Sequence, residues 1–106
     1  MAAWNIENSL DSLVTALCYD YERRKKAISS KTNSYRTDTE HRYLNYKIFA
    51  AAAEIVGDED AEQIIREIGK KIGYAKSEFY TLSEVTYKKY KRLVRDNIAR
   101  KLNLVD

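Results

Sequence analysis

Proline is absent from this 106-residue chain, glycine occurs three times, and cysteine and histidine occur once each. Each scarcity excludes something. With no proline, and with only Gly57, Gly69 and Gly73 to interrupt a helix, the many Ala, Leu, Ile, Glu and Lys residues predict an all-α protein. The lone Cys18 rules out an internal disulfide and fits a reducing compartment. No apolar run approaches the ~20 residues of a membrane span. Residues 1–7 lack the basic and apolar regions of a secretory signal, so a cytoplasmic protein without membrane contact is expected.

The same shortages weigh against catalysis. Cys18 and His41 fall on different predicted helices with no third group to orient a base, and Cys18 beside Leu17 reads as a small packed residue. One cysteine and one histidine are too few for a zinc site. Asp58, Glu59 and Asp60 are adjacent carboxylates without the staggered spacing of a calcium loop, and no Gly-rich loop precedes a helix. No catalytic residue, metal or cofactor is expected.

What the chain does contain is helical periodicity, enough for one small four-helix domain over residues 1–106. A first helix is predicted over residues 7–29 from the stripe Leu10, Leu13, Val14, Leu17, Tyr21 and Ile28, with Asn8 or Ser9 as N-cap. Residues 29–37 are polar and aperiodic, an exposed loop. Thr37 and Glu40 have capping-box spacing and open a second helix, residues 38–56, whose four alanines 50–53 invite a close neighbour and which Gly57 ends. Asp58, Glu59 and Asp60 then sit where a helix dipole favours negative charge. The third helix turns Ala61, Ile64, Ile65, Ile68 and Ile72 inward, and Gly69 inside it predicts a close crossing by the following helix.

Gly73 is expected to supply the positive φ of a corner, with a last helix starting near Lys76 or Ser77 and running to about Asn103. Phe79, Leu82, Thr86, Tyr90, Leu93, Val94, Ile98 and Leu102 form its stripe, and Tyr80 and Tyr87 lie among the lysines of its other face. A second capping-box match at Thr81 and Glu84 allows a break there, the continuous helix being preferred. Residues 58–103 thus read as a C-terminal helix-turn-helix, with Lys76, Ser77, Glu78, Tyr80 and Thr81 at the start of its second helix, where DNA-binding forms place base-reading side chains.

Charge is uneven along the chain. Residues 1–20 sum to −3, residues 21–42 to +4, residues 43–69 to −4 and residues 70–106 to +6. One of the two basic blocks follows the corner directly, which suits phosphate contact. The basic run at residues 23–26 lies near a helix C-terminus, where the dipole alone could account for it, a phosphate or partner contact being the functional alternative.

The run from Glu67 to Leu82, EIGKKIGYAKSEFYTL, resembles the helix-turn-helix of sigma-factor region 4, and more particularly that of phage transcriptional regulators of the ArpU and RinA type. Those proteins are similar in their Gly-aromatic-small-x-Ser-x-aromatic-Tyr run, followed by a Lys-rich helix and a short apolar tail like NIARKLNL from Asn97. The resemblance covers residues 61–104 and departs at Ala75, where a Ser or Thr cap is usual, and at Glu78, where a basic residue is. It implies that Lys76, Ser77, Glu78, Tyr80 and Thr81 face the major groove of double-stranded DNA while Lys70, Lys71 and Lys88 lie over phosphates.

A different class remains open. Nine tyrosines suit a protein interface as well as nucleic acid, so the chain also reads as a helical interaction module, a phage-encoded inhibitor or immunity-type protein with a protein partner. Equally, Tyr19, Tyr21, Tyr43, Tyr46 and Tyr90 are accounted for if they complete helix packing. Trp4, Ile6 and Val105 exceed the needs of one core and point to a homodimer.

Overall fold

The computed structural model describes residues 6–30 and 35–104; of the loop expected over residues 29–37 only 31–34 fall outside them, as do Trp4 and Val105, while 29–30 and 35–37 are helical. Five α-helices, α1 (Ile6–Tyr19), α2 (Tyr21–Ser30), α3 (Tyr35–Val56), α4 (Asp58–Gly69) and α5 (Glu84–Lys101), and one 3-10 turn (Tyr74–Lys76) account for the order, with no strand among the described residues. The chain is all-α. None of the helices is long and apolar enough to cross a membrane.

α1 and α2 form the predicted first helix as a single kinked rod, which leaves four helical rods in all. The Asp20 amide still donates to Ala16 O at 3.1 Å and the Arg24 amide to Asp20 O at 3.0 Å. At the kink, Arg24 Nη2 reaches back to Leu17 O at 2.6 Å, the kind of side-chain insertion that bends a helix. Arg24 is buried, and its Nε donates to Asn45 Oδ1 at 2.7 Å while Asn45 Nδ2 donates to Tyr21 O at 3.1 Å. Burial lowers the guanidinium's proton affinity, which neighbouring Asp20 partly restores. This polar joint fixes α2 against α3.

α3 begins at Tyr35, upstream of the predicted capping box, so Thr37 is an interior residue and Glu40 instead accepts from Arg36 Nε at 3.3 Å. Gly57, at φ 89°, ends α3 as expected and admits α4 at once. Ile48, Ala51, Ala52, Ala61, Ile64, Ile65 and Ile68 are fully buried where α3 meets α4, and Val94 and Ile98 of α5 close the core. Ala51 lets α5 come close enough for Asn97 Nδ2 to reach its carbonyl at 3.0 Å. Leu13, placed inward by the periodicity, is 44% exposed, and Cys18 takes its place beside Val14.

Gly69 has a packing role, but the helix that crosses it is α1 and not the following one. A Cβ built there would lie 2.5 Å from Tyr19 N and 2.8 Å from Cys18 C, so only glycine lets the end of α1 rest on α4.

Candidate nucleic-acid interface

The corner after α4 is built differently from the sequence expectation. Gly73 is extended (φ −82°, ψ 167°), and an added Cβ there would meet nothing within 4 Å. The left-handed residue is Lys71, at φ 55°. Its amide donates to Ile68 O at 3.2 Å and that of Ile72 to Glu67 O at 2.9 Å, the paired bonds of a Schellman stop. The last helix does not start at Lys76 or Ser77. Residues 77–83 form a non-helical turn, and Ser83 caps α5 by accepting from the Thr86 amide at 3.1 Å. A break near Thr81 is adopted, but its cap is Ser83 and not the Thr81–Glu84 box, and no short helix precedes it over residues 77–83.

What holds this turn is Glu67, which is completely buried. Its Oε1 accepts from Ser77 Oγ at 2.6 Å and Tyr87 Oη at 2.5 Å, and its Oε2 from Gln63 Nε2 at 2.8 Å and the Glu78 amide at 3.0 Å. Burial alone would raise the carboxyl's pKa, but these four donors outweigh it and hold the group below the usual carboxylate range. Burial and the bond to Glu67 together push the Tyr87 phenol up to about 12. Lys91 Nζ lies 5.1 Å above the Tyr87 ring and donates to Ile72 O at 2.8 Å. Tyr87, placed on the outer face of the last helix by its spacing, is therefore a core residue.

Of the residues expected to read bases, Ser77 is withdrawn. It is buried, spends its one donor on Glu67 and accepts from the Phe79 amide at 2.9 Å, so it is not presented to a base. Lys76, Glu78, Tyr80 and Thr81 are exposed, but on a turn and not on a helix's first turn. Lys88 is exposed on α5, 3.2 Å from Glu84. Lys70 and Lys71 are exposed at the end of α4.

The structure brings these last two to the first basic run. Lys70 lines a groove of about 390 Å³ together with Arg23, Lys26 and Arg66, at the place where the α1–α2 kink passes the end of α4. Lys71 lines an adjoining groove of about 500 Å³ with Asp11, Ser12 and Thr15 of α1. Arg23 pairs with Asp20 at 3.4 Å and Arg66 with Glu22 at 3.5 Å, while Lys26, Lys70 and Lys71 have no ion pair among the described residues. Both pairs are substantially exposed, so water screens them and an incoming anion displaces them at little cost.

Tyr19 stands between the two grooves, lines both and is 65% exposed. Tyr43 and Tyr46 are likewise exposed, so of the five tyrosines that packing was to account for, only Tyr21 is buried and Tyr90 half-buried. The sequence held a signal for Tyr19: it falls one place past Cys18 on a stripe running through positions 14, 18 and 21. Cys18 touches the groove from below with its thiol pushed up to about 12, by burial against the opposing charges of Arg24 and Arg95. It is protonated at neutral pH. Among the described residues no group of His, Cys, Asp and Glu side chains is arranged to hold a metal ion.

No protein-family model matches the chain, and neither a curated protein nor a solved structure does.

Proposed function

We propose that the chain is a small DNA-binding protein, of the regulatory kind that the resemblance of residues 61–104 implies, and that a basic belt along the α1–α2 kink and the end of α4 holds the phosphates. The observation that carries this is a convergence: Arg23 and Lys26 from one basic block and Lys70 and Lys71 from the other share adjoining grooves although more than 40 residues separate them in the chain. A dipole at one helix end accounts for a local run of cations but not for that meeting. Arg and Lys side chains set on helices at this density neutralise several phosphates at once. Lys76, Glu78, Tyr80 and Thr81 remain exposed on the turn held by Glu67.

Reversing two belt charges tests the reading. Lys26→Glu combined with Lys70→Glu is expected to weaken binding to labelled duplex DNA roughly tenfold to a hundredfold at low salt, as read by fluorescence anisotropy. Lys47→Glu on α3, which lines neither groove, is expected to change it little. Equal losses in both variants would remove the belt from the account.

A second reading keeps one observation of its own. Tyr43 (58% exposed) and Tyr46 (69% exposed) stand out from α3, and Tyr46 borders a groove of about 420 Å³ with Ile28 and Phe49. A partner protein would seat there through aromatic anchors. Under that reading the chain does not bind duplex DNA even at low salt.

A further inference from the structure

Tyr19 has no role in the core and none in the phosphate contacts just described. The residue is 65% exposed, and its backbone rests directly on α4, where a Cβ on Gly69 would lie only 2.5 Å from the Tyr19 amide nitrogen. Grooves of about 390 and 500 Å³ open on either side of it, each large enough for a nucleobase, with Lys26 and Lys70 along one and Lys71 along the other. Of the acids lining these grooves, Asp20 pairs with Arg23 and Glu22 with Arg66, while Asp11, beside Lys71, has no ion pair among the described residues. An exposed aromatic face beside cations is how proteins take single-stranded nucleic acid, the base stacking on the ring while the flanking phosphates meet the lysines. Bases inside a duplex stay stacked on each other and offer no face to such a ring.

We propose that Tyr19 is a stacking platform for an unpaired base, so that the preferred ligand is a duplex with a single-stranded segment beside it. This rests on the nucleic-acid reading above. The platform needs no hydrogen bond to a particular base edge, so it selects for strand state and not for sequence.

The test compares a labelled blunt duplex with the same duplex carrying a single-stranded thymidine tail, at one salt concentration. The tailed form is expected to bind about tenfold tighter. Tyr19→Ala should abolish that gain and leave blunt-duplex affinity unchanged, whereas Tyr19→Trp should keep it and show indole fluorescence quenched by the tail beyond any change in the wild type. The unfolding midpoint of Tyr19→Ala should match that of the wild type, since the ring lies outside the core. Equal affinity for the two ligands, or a gain that survives Tyr19→Ala, would overturn the stacking role while leaving the belt in place. No binding to either ligand would overturn the nucleic-acid reading and the platform with it.

Discussion

Gly69→Ala is expected to destabilise the protein by about 3 kcal/mol, lowering the thermal midpoint by roughly 15 °C in scanning calorimetry. Helix propensity points the other way. An alanine at Gly69, the last residue of α4, should gain at most about 1 kcal/mol over glycine if nothing else mattered. What decides the sign is the identity of the atoms in the way. The new Cβ would lie 2.5 Å from Tyr19 N, 2.7 Å from Tyr19 Cα and 2.8 Å from Cys18 C, all backbone, so no side chain can rotate aside and α1 itself must move. Moving α1 also disturbs Val14 and Cys18 in the core and carries Tyr19 away from Lys70 and Lys71. A Gly69→Ala protein as stable as the wild type, or more so, would mean that α1 does not rest on α4 in solution.

Glu67→Ala is expected to cost a similar amount, about 3 kcal/mol, for a different reason. Four donors lose their shared acceptor: Gln63 Nε2, Ser77 Oγ, the Glu78 amide and Tyr87 Oη. Those on Ser77 and Tyr87 are buried, where water does not readily replace the carboxylate. The turn at residues 77–83 should loosen before the rest, seen as faster exchange of the Glu78 and Phe79 amides. The conservative Glu67→Gln keeps the shape but faces some of these donors with an NH₂ group, and is expected to fall between the two. The carboxyl is depressed in the folded state, so its contribution is complete above the unfolded-state value near 4.3 and disappears as pH falls through the folded value. Urea midpoints at pH 7 and at about pH 3 should therefore differ more for the wild type than for Glu67→Gln. Identical pH dependence in the two proteins would show that Glu67 is not the charged hub described.

Much of the helical framework was legible in the sequence because it follows from local rules. Gly57 as a stop, the carboxylates from Asp58 to Asp60 at the start of α4, and the Ile64, Ile65 and Ile68 stripe each need only periodicity and capping. The corner after α4 was misread because glycine is the usual left-handed residue, yet Schellman bonds hold Lys71 in that conformation and leave Gly73 extended. The start of the last helix was misread because Phe79 and Leu82 have helical spacing, although they pack from a turn. The reason for that turn is Glu67, whose position on the buried face of α4 is visible in the sequence but whose four partners come from three separate segments. Lys70 and Lys71 were found as cations; that they share adjoining grooves with Lys26 depends on the α1–α2 kink, which Arg24 stabilises through a long-range bond to Asn45. Tertiary contacts of that kind leave no periodic trace.

The central claim, that the basic belt grips phosphates, is tested most directly by the affinity of the wild-type chain for labelled duplex DNA across a salt series. Contact with about four phosphates predicts that log affinity falls linearly with log salt with a slope near −3.6, a loss of roughly fiftyfold for a threefold rise in salt. Failure to bind at low salt, or an affinity indifferent to salt, would contradict it.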